Sequence, residues 1–227
     1  MRAALSVFAL FFLSAQALAV SLDDLSNKEA SGGLKEALTQ GASAAVAKLG
    51  RTDGFLGNPQ VKIPLPDGLR QAEGLMRTMG MGKQADELVT AMNRAAESAV
   101  AEAKPILVDA VKKMTVQDAK QILTGGDNSV TEYFRRTTSE QLTGKFKPIV
   151  TKATSKVKLA EKYDQFAGKG AQFGLVKEQD AKLENYVTRK ALDGLFAMIG
   201  EEEKAIRQNP VGATGSLAKK VFGALGN

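Results

Sequence analysis

Residues 83–104 read KQADELVTAMNRAAESAVAEAK. At 100° per residue, Leu88, Met92, Ala95, Ala96, Ala99 and Ala103 gather on one face, while Glu87, Arg94 and Glu97 fall off it. The residues are strong helix formers with few β-branched side chains, so the segment is an amphipathic helix. Small side chains line its apolar stripe, which lets a neighbouring helix approach closely. The fold is therefore read as helices packed on helices.

Outward from this segment the helical period persists. A helix is expected from about Ser31 to Leu49, closed by Gly50. Pro59, Pro64 and Pro66 exclude helix and bias their predecessors to extended backbone, so Gly50 to Pro66 forms a long irregular connection. Helix resumes from Asp67 to Thr78, with Gly80 and Gly82 before residue 83. Pro105 either starts a new helix or kinks the old one, and helix continues to Met114. Thr115 and Asp118 have the spacing of a cap and an acid at N3. Thr124 to Asp127 break the chain before a short helix through Arg136, and Thr137 or Thr138 caps the next, Glu140 completing a capping box if Thr137 is the cap. On that long helix Leu142, Phe146, Ile149, Ala153, Val157 and Ala160 line one face, and Pro148 bends it. Gly168, Gly170 and Gly174 mark a loop, Asp180 to Arg207 the last long helix, and Gly215 to Leu225 a short amphipathic one. No internal repeat or low-complexity segment is present. The expectation is an all-α, single-domain helical bundle of six to eight helices over residues 31–227, with one long irregular proline-containing connection.

Arg2, the short apolar run Ala3 to Leu13 and the small-x-small triplet Ala17-Leu18-Ala19 read as a signal peptide over residues 1–19, cleaved after Ala19. The alternative is an amphipathic first helix kept in the fold, but Ala3 to Leu13 carries no charge on any face. Residues 20–30 are polar and aperiodic and read as a flexible tail. The expected destination is the periplasm of a Gram-negative envelope. Beyond Val20 no run approaches the roughly 20 apolar residues of a spanning helix, so the exported chain is read as soluble, with no transmembrane segment. Cysteine is absent, so packing alone must hold the fold. The formal charge of +6 includes Arg2 and lacks the dense basic footprint of a nucleic-acid binder.

The chain has no histidine either. The usual zinc ligands and the Ser-His and Cys-His pairs are thereby excluded, and catalysis would fall to Asp, Glu, Lys, Tyr or Arg with strongly tuned environments. No catalytic residue, metal ligand or cofactor is assigned. Gly80-Met81-Gly82-Lys83 resembles part of a phosphate loop, but Arg77 stands where the first Gly belongs, Gln84 where Ser or Thr belongs, and no strand precedes it. Ser155 to Lys158 and Ser216 to Lys219 fit S-x-x-K without the companion motifs. The Gly125-Gly126-Asp127-Asn128 turn either frees backbone N–H groups for an anion or places Asp127 or Asn128 as a cap. Arg135 and Arg136, beside Tyr133, suit a carboxylate or phosphate, and structural ion pairs explain them equally.

Charge is unevenly distributed. From Thr138 to Lys162, six lysines (145, 147, 152, 156, 158 and 162) face Glu140 and Glu161, whereas Glu178 to Glu203 holds seven acids against Lys182, Arg189 and Lys190. Two long helices of opposite sign pair naturally as antiparallel neighbours. The alternative is that Lys147, Lys158 and Lys162 touch an anionic membrane surface or an acidic protein. Leu65, in Ile63-Pro64-Leu65-Pro66, either docks a partner or pins the connection over the core.

Arg51-Thr52-Asp53-Gly54-Phe55, Ile63-Pro64-Leu65-Pro66, Asn93-Arg94-Ala95-Ala96-Glu97, Gly125-Gly126-Asp127 with Tyr133-Phe134-Arg135, and Ala191-Leu192-Asp193-Gly194-Leu195-Phe196 occur in that order. In these motifs the chain resembles, from about Ser31 to Gly226, a family of uncharacterised exported helical proteins of proteobacteria, a domain of unknown function. Asn209 and Asp164 depart from the family pattern. The resemblance implies fold and compartment and brings no catalytic or binding residue. The expected role is a non-catalytic protein-interaction or scaffold module whose partner is an envelope protein or an anionic or apolar envelope ligand. A periplasmic carrier of a lipid or small ligand is second, and needs an internal apolar cavity; an enzyme using Asp, Glu, Lys or Tyr is third, and needs such groups in mutual reach within a cleft.

Overall fold

The computed structural model describes residues 27–172 and 176–209. They form eight α-helices in chain order: α1 (Asn27–Leu49), α2 (Asp67–Thr78), α3 (Gly82–Ala101), α4 (Lys104–Lys113), α5 (Val116–Thr124), α6 (Ser129–Thr154), α7 (Lys158–Gln172) and α8 (Leu183–Gln208), with a 3₁₀ turn at Glu178–Asp180. No strand occurs among the described residues, and no helix there is long and apolar enough to cross a membrane. The expected leader, residues 20–26 of the expected tail and the expected short C-terminal helix lie outside the described residues.

The centre is built by α3, α6 and α8, which pack on one another; α1 lies against α8 and α4, α5 against α6 and α1, α7 against α3 and α8, and α2 against α3. α6 and α8 are antiparallel: Thr131 meets Glu203 at one end of the pair and Thr151 meets Glu184 at the other. The Ala-rich face of α3 supplies the close contact its composition predicts, with Leu88, Met92, Ala95, Ala96 and Ala99 all buried, as is Ala103 just beyond its end.

Several boundaries differ from the sequence reading. α1 starts at Asn27, before Ser31. No break separates residues 136 and 138, because the Thr137 and Thr138 hydroxyls donate back to the carbonyls of Tyr133 and Phe134 at 2.7 and 2.6 Å and so stay inside the helix instead of capping one. The long helix instead ends at Thr154, and an elbow at Ser155-Lys156-Val157 lets α7 bury Leu159, Ala160, Tyr163 and Ala167. The predicted stripe is therefore divided between two helices. Gly168 and Gly170, expected in a loop, lie within α7. Thr115 and Asp118 form a complete capping box at the start of α5.

The irregular connection is tightly tied down. Asp53 takes a left-handed φ of 64°, and a side chain on Gly54 would collide with the Leu49 carbonyl. Beyond this turn Val61, Ile63 and Leu65 alternate inward, all buried. Two polar side chains of α3 hold the path. Asn93 accepts the Ile63 N–H at 2.8 Å and donates to the Ile63 carbonyl at 2.9 Å, and Glu97 accepts the N–H groups of Phe55 and Leu56 at 3.1 Å each. Glu97 was read as lying off the packed face; it is 4 % exposed because the connection covers that side of α3. Arg94 closes the clamp by bridging Glu97 and Asp53.

Candidate functional site

The residues singled out in the sequence do not converge. Tyr133 is buried and donates its hydroxyl to the Ala110 carbonyl at 2.7 Å; burial raises its phenol above the ordinary value. Arg136 lies over the Tyr133 ring and pairs with Asp118 at 2.9 Å. Asp118 is held below the usual carboxylate range, first by the Thr115 hydroxyl and then by Arg136. Arg135 projects elsewhere, stacked 4.6 Å from the Phe196 ring centroid and 3.6 Å from Asp193. Lys147 pairs with Glu184 at 3.3 Å. Leu65 is 3 % exposed, the geometry of a pin over the core.

At the Gly125 to Asn128 turn the helix start does bind an anion, and the chain itself supplies it. Asn128 holds the N-cap position at φ 76° without a side-chain bond. Glu203 of α8 instead accepts the N–H groups of Val130 and Thr131 at 3.2 Å each, and Arg207 balances its charge at 3.0 Å. Capping by Asp127 or Asn128 is thus replaced by capping across the bundle.

Two of the clefts lie towards the two ends of α6. Near its start, a cleft of about 570 Å³ between α6 and α8 holds the carboxylates of Asp127, Glu132, Asp193, Glu201 and Glu203 against Arg135 and Lys204. An anion reading of Arg135 therefore meets a surface rich in carboxylates. The enzyme reading calls for carboxylates in a cleft, but Glu203 is committed to the α6 N-terminus and Arg207, and Asp193 lies between Arg135 and Arg189.

The second is a groove of about 1000 Å³ beyond the other end of α6, between the first half of α3 and the elbow. Lys83, Gln84, Asp86, Glu87, Thr90 and Ala91 form one wall, and Lys156, Val157, Lys158 and Leu159 the other. Arg77 binds Asp86 at 2.8 Å and keeps its carboxyl below the usual range. Among the described residues, no carboxylate stands within 4.0 Å of Lys83, Lys152, Lys156, Lys158 or Lys162, unlike Lys145 and Lys147 of α6, which pair with Glu102 and Glu184. Of the predicted lysines, Lys158 thus lines the groove, Lys162 is exposed one turn along α7, and Lys147 belongs to the α6–α8 seam.

The sequence reading missed Asn93, Glu97 and Glu203 as clamps. Their signal was available: Asn93 and Glu97 are four apart within an Ala-rich helix, where a polar residue has to find a backbone partner once covered. Lys83 and Lys156 were missed as groove residues because the break at Ser155 was read as continuous helix.

The motifs that carry the resemblance meet in space. Asn93 to Glu97 grips both Arg51 to Phe55 and Ile63 to Pro66, Gly194 faces Phe55, and Arg135 meets Asp193 and Phe196. No curated protein and no solved structure matches the chain. Residues 24–223 match the family described as "Protein of unknown function (DUF4197)", and the chain belongs to that family.

Proposed function

We propose that this protein is a non-catalytic interaction module of the cell envelope, exported after loss of residues 1–19, that holds a partner protein in the groove between α3 and the α6–α7 elbow. One observation carries the reading: the groove of about 1000 Å³ combines apolar Ala91, Val157 and Leu159 with exposed Lys83, Lys156 and Lys158, none of which has a carboxylate of the described residues within 4.0 Å. A concave apolar strip with a polar rim is the general form of a protein-binding surface. The carrier reading has less support. The apolar pocket lined by Leu38, Val130, Phe134, Ile199 and Ile206 has a volume of about 10 Å³, too small for a lipid chain.

The test is photo-crosslinking in cells. A photoreactive residue replacing Gln84 is expected to give a discrete covalent adduct that disappears in K156E/K158E, while the same probe replacing Gln121, far along the chain on α5, gives none. Equal adducts from both positions, or no adduct at residue 84, contradict the proposal.

A further inference from the structure

We infer that the partner segment received by this groove is an acidic amphipathic stretch of polypeptide, with carboxylates along the edge that meets the elbow. The inference rests on the docking role proposed above and names its occupant.

The two walls differ in charge. On the α3 wall, Lys83 shares the groove lining with Glu87, which lies one turn along the helix, and Asp86 is paired with Arg77 at 2.8 Å. The elbow wall holds Lys156 and Lys158 around Val157 and Leu159, with no acid between them. Lys152 precedes the elbow in the last turn of α6, and Lys162 follows Lys158 by one turn on α7. Like charges spaced by four on a helix repel. Glu161 stands beside Lys162 in the first turn of α7, but no carboxylate of the described residues comes within 4.0 Å of any of the four lysines, so carboxylates brought by a ligand gain attraction at the elbow.

The shape selects a polypeptide over a bilayer. An anionic membrane is flat on the scale of a helix pair and is met by flat or protruding surfaces, whereas Lys156 and Lys158 border a concavity whose floor, Ala91, Val157 and Leu159, is apolar. A segment with apolar side chains at helical spacing and carboxylates on one flank satisfies floor and rim together, in the helix-in-groove mode.

The probe is a fluorescent helical peptide with Leu at positions i, i+3, i+4 and i+7 and Glu elsewhere, compared with the same peptide carrying Lys for Glu and with vesicles of phosphatidylglycerol and phosphatidylethanolamine. Anisotropy is expected to show binding of the Glu peptide to the full exported chain, weakened on the order of tenfold in K156E/K158E. K112E/K120E, which changes net charge equally on α4 and α5, is expected to bind like wild type. Equal binding of the Lys peptide, an equal loss in K112E/K120E, or vesicle binding without Glu-peptide binding overturns the inference. If a residue-84 adduct forms in cells and the Glu peptide still fails, the groove docks a partner and only its acidity is wrong. If both fail, the docking role falls as well.

Discussion

A β-carbon on Gly194 would stand 2.6 Å from Cε1 of Phe55, so the ring of the irregular connection rests directly on the backbone of α8. Phe55 is fully buried, and Val61 approaches the same glycine. The Asp-Gly-Leu-Phe motif of α8 and the Asp-Gly-Phe motif of the connection are therefore two halves of one contact.

Gly194→Ala is expected to lower stability by about 1–3 kcal/mol, because overpacking outweighs the helix propensity gained. Phe55→Leu in the same chain should recover part of that loss. Denaturant midpoints of the two single variants and the double variant check this; additive losses would show that the contact is not the cause.

The α3 clamps are worth more than their hydrogen bonds alone. Glu97→Leu strands two N–H groups under the connection and should cost about 2–4 kcal/mol, and Asn93→Leu a similar amount. Leu65→Asp places a carboxylate at a buried position and should destabilise by several kcal/mol. Thermal unfolding reads all three, and a Leu65→Asp midpoint like wild type would return Leu65 to the surface.

Much of this fold is legible in the sequence. The Asp67–Thr78 helix, the Gly50–Pro66 connection, the Thr115 cap and the α6–α8 pairing follow from turn residues, capping chemistry and charge. The elbow at Ser155 and the helix through Gly168 are not, because each is decided by what α7 buries against α3 and α8. The clamps escape for a related reason: periodicity marks Glu97 as polar and therefore outward, and only the path of a proline-rich connection reveals a covered backbone that needs its carboxylate. Arg135, Arg136 and Tyr133 attract attention by residue type, yet their partners lie on three different helices.

Glu203 ties α8 to the start of α6. Replacing it with Ala removes the buried carboxylate that two N–H groups and Arg207 share and should cost about 3–5 kcal/mol. Hydrogen exchange is expected to accelerate first at Val130 and Thr131. Unchanged exchange there would assign the cap elsewhere.

All three tyrosines are buried donors to backbone carbonyls, those of Ala110, Asp180 and Pro64. Burial pushes the Tyr163 and Tyr186 phenols up to about 12 and Tyr133 in the same direction. The neutral phenol is the folded form, so this stabilisation is complete below the ordinary value near 10 and is lost as pH rises from about 10 towards about 12. Absorbance at 295 nm should rise together with loss of helical circular dichroism. Ionisation near pH 10 with the helices intact would contradict it.

The central claim is that the recurring motifs build the bundle while partner contact lies at the lysine elbow. Hydrogen–deuterium exchange of the chain from Val20 onward, free and saturated with the Glu peptide or with the crosslinked partner, tests it most directly. Protection is predicted to gather at residues 83–91 and 155–162 and to leave 51–66 unchanged; protection centred on 51–66 would contradict the account.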